Sequence, residues 1–197
     1  MMNRPLTRKG EATRGRIVEA AASVVITQGT ASAGLEQIRA ASGTSGSQLF
    51  HYFPGGKAQL MLAVAEFEAE QVLEEQRPDL DELTTWDAWR RWSEDLLAAY
   101  EAKGSKCSIA GLMSQLDPNE PEFRAIVIRM YDTWEAALAR GISALQADGS
   151  ADTALDPADA AASLLAGIQG GIVMMLSTGS TRNLKAALDA GLERLKP

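Results

Sequence analysis

"SGTSGSQLFHYFPGGKAQL", residues 42–60, decides how this chain reads. Small residues come first, then Leu49-Phe50-His51-Tyr52-Phe53, dense in aromatics and holding the one histidine, and then Pro54-Gly55-Gly56-Lys57. "SGSQLFHYF" reads as a short helix ended by Pro54, which cannot continue it. Upstream, "LEQIRAASG" is a second short helix, with Leu35, Ile38 and Ala41 on one side and Gly43 as its stop. Before that, "TRGRIVEAAASVVITQG" places Ile17, Ala21, Val24 and Val25 on one face and ends at Gly29. Downstream, a fourth helix starts near Gly56-Lys57 and runs to about Gln76, burying Leu60, Val64, Phe67 and Leu73 before Arg77-Pro78 breaks it. No sustained period-2 alternation and no Asn-Gly hairpin occurs, so the expected fold is all-α.

Two short helices joined by a tight turn and packed on a longer first one make a helix-turn-helix. In that arrangement the third helix lies in the DNA major groove and its first turn meets base edges. Gly43 makes the turn, and Thr44, Ser45, Gly46 and Ser47 are small enough for backbone to approach phosphate. Ser45 or Thr44 suits the N-cap, leaving amide protons aimed at the phosphates. The Gln48 amide can pair bidentately with adenine. Leu49 and Phe53, four apart, anchor the helix, and His51 and Tyr52 reach the sugar-phosphate chain. Lys57 adds a phosphate contact after the corner, and Arg14 joins the DNA-facing set from the first helix. The plainer alternative makes "QLFHYF" a buried aromatic helix with His51 in the core.

Charge is distributed unevenly. The chain of 197 residues is formally −7. Residues 1–60 hold seven basic and three acidic residues, +4, and the remainder 12 basic and 23 acidic, −11. This suits a basic N-terminal module facing a polyanion and an acidic module with another task. No stretch approaches the roughly 18 consecutive apolar residues of a membrane span. "MMNRPLTRKGEATRGR" has no apolar run after its basic residues, so it does not read as a signal peptide. A single cysteine, Cys107, excludes an internal disulfide framework and suits a reducing cytoplasm.

The runs "IVEAAASVVITQGT", "LEQIRAASGTSGSQLFHYF" and "GGKAQLMLAV", in that order, resemble the DNA-binding domain of the TetR (tetracycline-repressor-like) family of bacterial regulators. "FPGGKAQL" and "KCSIAGLMSQL" are further similar to its LmrA/YxaF-type branch. The resemblance implies a helix-turn-helix domain over 1–57 and an effector-binding and dimerisation domain over 58–197, the fourth helix joining them. It also implies a homodimer acting on operator DNA. Where the family usually has Thr or Ser capping the second helix and touching phosphate, this chain has Ala33 and Gly34, so Ser32 or the Gly34 amide must substitute. Where the family commonly has Lys-Gly-Thr, this chain has Gly46-Ser47-Gln48. The base-reading set is thus its own.

The remainder reads as a regulatory domain. "TTWDAWRRWSEDLLAAYEAKG" spaces Trp86, Trp89 and Trp92 by three, then Leu96 and Tyr100 by four, one aromatic helix face whose simplest role is core packing. All four tryptophans and the adaptable methionines Met113, Met130, Met174 and Met175 lie here. A cavity walled by Trp89, Trp92, Leu96, Met113, Met130, Trp134 and Val173, with Cys107 nearby and Tyr131 and Gln169 as polar handles, suits an apolar or aromatic small molecule. Cys107 lacks a resolving partner and reads as a small apolar filler rather than an oxidant sensor.

"DPADAAASLLAGIQGGIVMMLSTG" starts at Asp156-Pro157 and is apolar on more than one face, through Ala161, Leu164, Leu165, Ile168, Ile172 and Met175. Gly167, Gly170 and Gly171 would weaken an isolated helix by about 0.5–1 kcal/mol each, so close helix approach is expected to compensate. "TRNLKAALDAGLERL" follows with Leu184, Leu188, Leu192 and Leu195. Such a pair suggests a two-fold four-helix bundle between subunits, built on Leu164, Ile168, Ile172, Met175, Leu184, Leu188 and Leu192. Enzyme readings fare badly: a triad would need His51, and no HExxH, CxxC, P-loop, metal-ligand set or cofactor motif occurs. The sequence therefore reads as a ligand-responsive transcriptional repressor, released from a palindromic operator by an apolar small molecule. The rival of a different class is a helical small-molecule-binding or interaction protein that never touches DNA.

Overall fold

A computed structural model describes residues 6–29, 32–104 and 120–197. The described residues form eight α-helices, one 3-10 turn and no strand. The helices are α1 Arg8–Gln28, α2 Leu35–Ser42, α3 Gly46–Tyr52, α4 Gly56–Glu74, α5 Trp86–Lys103, α6 Pro121–Ala147, α7 Pro157–Thr178 and α8 Arg182–Arg194. Contacts divide the described residues into two compact units, one within 6–69 and 120–126, the other within 70–104 and 127–197.

In the first unit, Ile17, Val18, Ala21, Val24 and Val25 of α1 close with Ile38, Leu49, Phe53, Leu60 and Val64 into one apolar cluster. The spacing-derived faces of α1 and α4 are the buried ones; Phe67 and Leu73 are half-buried. α2 differs by one residue. Ala41 is exposed and Ser42 buried, because Ser42 Oγ meets both Thr44 Oγ1 at 2.7 Å and the Arg39 carbonyl at 3.2 Å. A buried hydroxyl so satisfied costs little, whereas an unpaired one costs about 1–3 kcal/mol. Gly43 follows at φ 62°, ψ 31°, the left-handed conformation that ends α2 and turns the chain into α3.

In the second unit the tryptophans are structural and each takes a defined hydrogen bond or buried position. Trp86 Nε1 donates to the Ser150 carbonyl at 2.9 Å, Trp89 Nε1 to the Leu83 carbonyl at 3.0 Å, and Trp92 Nε1 to Gln76 Oε1 at 3.0 Å. Trp89 and Trp92 stack edge to face with centroids 5.7 Å apart. Asp156 caps α7 by accepting the N–H groups of Ala158 and Asp159 at 2.9 and 3.1 Å, and Pro157 follows at the first helical position, where its missing N–H is no loss.

α7 and α8 run antiparallel: a Cβ at Gly171 would meet Leu184, one at Gly167 would meet Ala187, and one at Gly191 would meet Leu164. At Gly171 the backbone itself is the neighbour, with Leu184 Cα at 2.5 Å from that Cβ position, so only glycine fits. α7 is long and apolar enough to cross a membrane, with mean hydropathy 1.6 over an 18-residue window. The sequence pattern hid this because glycine, serine and glutamine interrupt the apolar run. Its buried face packs on α8.

Candidate functional site

The first turn of α3 is built by reciprocal hydrogen bonds. Ser45 Oγ accepts the Gln48 N–H at 3.2 Å, and Gln48 Oε1 accepts the Ser45 N–H at 3.0 Å. Ser45, not Thr44, is the cap, and the pair is a capping box whose sequence signature is Ser-x-x-Gln. Such a cap contributes about 1 kcal/mol to a short helix. Its chemical consequence falls on Gln48. A backbone N–H can only donate, so the atom facing Ser45 must be the amide oxygen, which leaves the side-chain NH₂ as the free end. Bidentate pairing with adenine uses both ends, and the amide oxygen, with two lone pairs, would then accept a second hydrogen bond beside the Ser45 N–H. With the box closed, Gln48 presents two free donors and one remaining acceptor site.

Leu49 and Phe53 are buried, so the opposite side of α3 faces outward with Ser47, Gln48 and His51. Ser47 Oγ lies 2.9 Å from Ser45 Oγ. His51 is exposed and meets the edge of half-buried Tyr52, centroids 5.0 Å apart. Thr44 is turned inward: its N–H donates to the Arg39 carbonyl at 3.2 Å and its hydroxyl pairs with Ser42, so it serves the turn rather than a phosphate. The Gly34 amide is likewise engaged, donating to Gln37 Oε1 at 2.8 Å, while Ser32 is exposed. Arg14 is half-buried with its guanidinium 5.3 Å from the centre of the Phe53 ring, a cation–π contact tying α1 to the end of α3. Lys57 is half-buried in the first turn of α4.

Phe50 was given no role by the sequence, yet it is 54% exposed on α3. Its ring edge reaches the corner at Gly56. The signal was present: on a helix that buries residues 49 and 53, residue 50 turns away from the buried side.

The expected effector residues are brought together only in part. Trp92 and Leu96 line a cleft with Val72, Gln76, Asp79, Asp95, Tyr100 and Lys103. Tyr131 and Gln169 meet across α6 and α7, the Tyr131 hydroxyl donating to Gln169 Oε1 at 3.4 Å. Met130, Trp89 and Trp134 are buried, and the Trp134 indole N–H has no hydrogen-bond partner among the described residues. Val173 is 60% exposed and lines none of the described cavities. Cys107 and Met113, with the "KCSIAGLMSQL" segment, lie outside the described residues.

Of the residues expected between subunits, Leu164, Ile168, Ile172, Met175, Leu184 and Leu188 are buried within the chain, and Leu192 is half-buried. Apolar periodicity marks the face a helix turns to its own neighbours. The outward surface of the pair carries Ala166, Gly170, Val173 and Met174 instead, beside a shallow groove of about 270 Å³ lined by Leu164, Gly167, Ala187, Ala190 and Gly191.

A capped seven-residue helix, set by a left-handed glycine turn against α2 and anchored by two buried side chains, defines a helix-turn-helix DNA-binding protein. The comparisons with known proteins agree. Residues 17–64 match the family described as "Bacterial regulatory proteins, tetR family", and residues 84–190 match "Tetracyclin repressor-like, C-terminal domain". The chain belongs to the TetR family of transcriptional regulators.

Solved structures share the fold. A TetR transcription regulator from Haloarcula marismortui aligns with TM-score 0.81 at 17% identity, over 94% of this chain and 97% of its own. Regulatory protein TetR from Rhodobacter sphaeroides aligns with TM-score 0.75 at 19% identity, over 93% and 98%. SmeT, the repressor of the Stenotrophomonas maltophilia multidrug efflux pump SmeDEF, aligns with TM-score 0.68 at 18% identity, over 96% and 93%. No curated protein sequence matches the chain.

Proposed function

We propose that this DNA-binding regulator is a ligand-responsive repressor. The observation that carries the reading is the outward face of α3, where exposed Ser47, Gln48 and His51 stand over an apolar anchor. The +4 charge of residues 1–60 against −11 for the rest supplies a DNA-facing side within an acidic chain. Arg14, Gly34, Ser45, Tyr52 and Lys57 complete the proposed contacts, with Thr44 supporting the turn from inside. Phosphate contacts position the domain and Gln48 reads a base.

The functional division falls after residue 57, between DNA binding and effector binding with dimerisation. A homodimer is proposed through α7 and α8, where exposed Val173 and Met174 and the small-residue groove offer the uncovered surface. Two-fold symmetry then calls for a palindromic operator with half-sites roughly 34–36 Å apart or a multiple. The effector has an apolar body and binds in the C-terminal unit. It releases DNA only through tighter binding to a conformer with wrongly spaced reading heads. A cytoplasmic location, a non-enzymatic role and kinship with the LmrA/YxaF-type branch belong to the same reading. SmeT is named as a repressor, which supports that sense of regulation for a protein of this fold.

The test is recovery of the genomic fragments that the protein retains, followed by affinity measurements at two salt concentrations on whole and half sites. Affinity falling steeply with salt, and whole sites bound far better than half sites, is expected. Salt-independent binding or equal affinity for half sites would remove the dimeric-repressor reading.

A further inference from the structure

The cleft between the end of α4 and α5 has a volume of about 220 Å³. A closed apolar cavity of about 150 Å³ already takes benzene, so the space suits a ligand of one ring and a small head group. One wall is a single face of α5, where Trp92, Leu96, Ala99 and Tyr100 recur at helical spacing with Asp95 and Lys103 among them. The other comprises Val72, Glu75, Gln76, Arg77 and Asp79. The apolar floor is firm: the Trp92 indole is fixed by Gln76, whose own NH₂ is held by the Val72 carbonyl at 2.6 Å.

The charges sort themselves by partner. Arg77 is engaged by Glu74 at 3.0 Å and Asp81 at 2.9 Å. Asp79 pairs with Arg91 at 3.9 Å, and among the described residues no ion pair involves Asp95. The remaining cation is informative. The Lys103 ammonium bridges the walls by pairing with Glu75, and it lies 6.0 Å from the centre of the Tyr100 ring. A primary ammonium on a flexible stem thus already sits in the cleft between a carboxylate and an aromatic face. That is how proteins hold organic cations. The pair is partly exposed and of a kind that contributes little, so it yields readily to a competitor.

We infer that the α4–α5 cleft binds a small amphipathic organic cation, an alkyl- or aryl-ammonium, whose charged head replaces Lys103 between Glu75 and Tyr100. Its apolar body lies along Trp92 and Leu96, and Asp95 supplies negative charge, with Asp79, loosely paired to Arg91, beside it. Lys103 is the resident competitor, lowering affinity until the head group displaces it. The inference rests on the repressor reading only in taking this cation as the effector; the site itself does not depend on it.

The test is calorimetric titration of the full chain with benzyltrimethylammonium and with its neutral carbon isostere, neopentylbenzene. The ammonium is expected to bind the wild type about tenfold more tightly than the isostere. Lys103→Met, which keeps most of the apolar stem, tightens ammonium binding about threefold or more, and Glu75→Gln with Asp95→Asn weakens it by a similar factor. All three residues are surface positions, and unchanged circular dichroism controls for folding. Equal binding of the two probes, no binding of the ammonium, or tighter binding by the carboxylate double variant would overturn the inference. Release of operator DNA is scored in parallel samples. The site stands or falls on the binding ratios, and the repressor reading on the DNA.

Discussion

In α3, seven residues long, the polar groups of the first turn bond to one another, and only Leu49 and the following Phe53 are buried. In α7, 22 residues long, eight residues are buried and a glycine lets the backbone of α8 come within contact. A short helix has few apolar contacts to hold it, so its end groups decide whether it forms. A long apolar helix is held by packing, and its stability depends on shape. The reading element leaves its outer face free for another molecule because its support comes from its ends and two anchors. The scaffold element spends its apolar face on its own chain.

The sharpest way to break this contrast is to remove an α3 anchor. Leu49→Ala is expected to cost about 2–5 kcal/mol in denaturant unfolding; a loss under about 1 kcal/mol would mean that the cap alone holds α3. Gly171→Ala tests the scaffold side. Its Cβ would fall 2.5 Å from Leu184 Cα, and overpacking of this kind costs about 1–3 kcal/mol. An unchanged melting temperature would show that α8 moves aside freely. Gln48→Ala removes the reading amide together with one of the two capping bonds, the Ser45 hydroxyl still accepting the residue 48 N–H. It should relax operator preference by about 1–3 kcal/mol at one base pair, whereas Lys57→Ala should weaken all sequences alike. If Lys57→Ala altered preference in a competition assay, the division into positioning and reading contacts would be wrong. The smallest effect is the neighbour of the largest scaffold one. Gly170 has nothing within 4 Å of its Cβ position, so Gly170→Ala should stabilise the folded chain by about 0.5–1 kcal/mol. A raised dimer dissociation constant in sedimentation would show that the partner comes close there.

The reading half was legible because its determinants are local. Helical spacing marks Ile17, Val24, Leu49 and Leu60 as inward, and Gly43 and Pro54 as boundaries. What escaped was polar: Ser42 is buried in place of Ala41 because a neighbouring hydroxyl satisfies it. The Ser-x-x-Gln signature of Ser45 and Gln48 is also local, but the same glutamine fits a base-reading role, so one side chain carries two signals. In the other half the determining contacts span long separations. Trp86 bonds to Ser150, 64 positions on, and Trp92 to Gln76. Periodicity assigns an indole to the inner face but not its partner, so spacing alone does not distinguish a ligand wall from core packing at buried Trp89 and Trp134. The leucines of α7 and α8 show the same limit: spacing shows that a face is covered, not by what.

Gly171 has a mechanical consequence. Advancing α7 by one residue against α8 would turn it by about 100° and set a β-carbon against the Leu184 backbone, except where Gly170 took the place. The two helices are keyed to each other in the manner of a toothed joint. They can tilt or travel as one body, but a slide that brings Ile172 to that place is blocked, so a rearrangement in that sense must be taken up elsewhere.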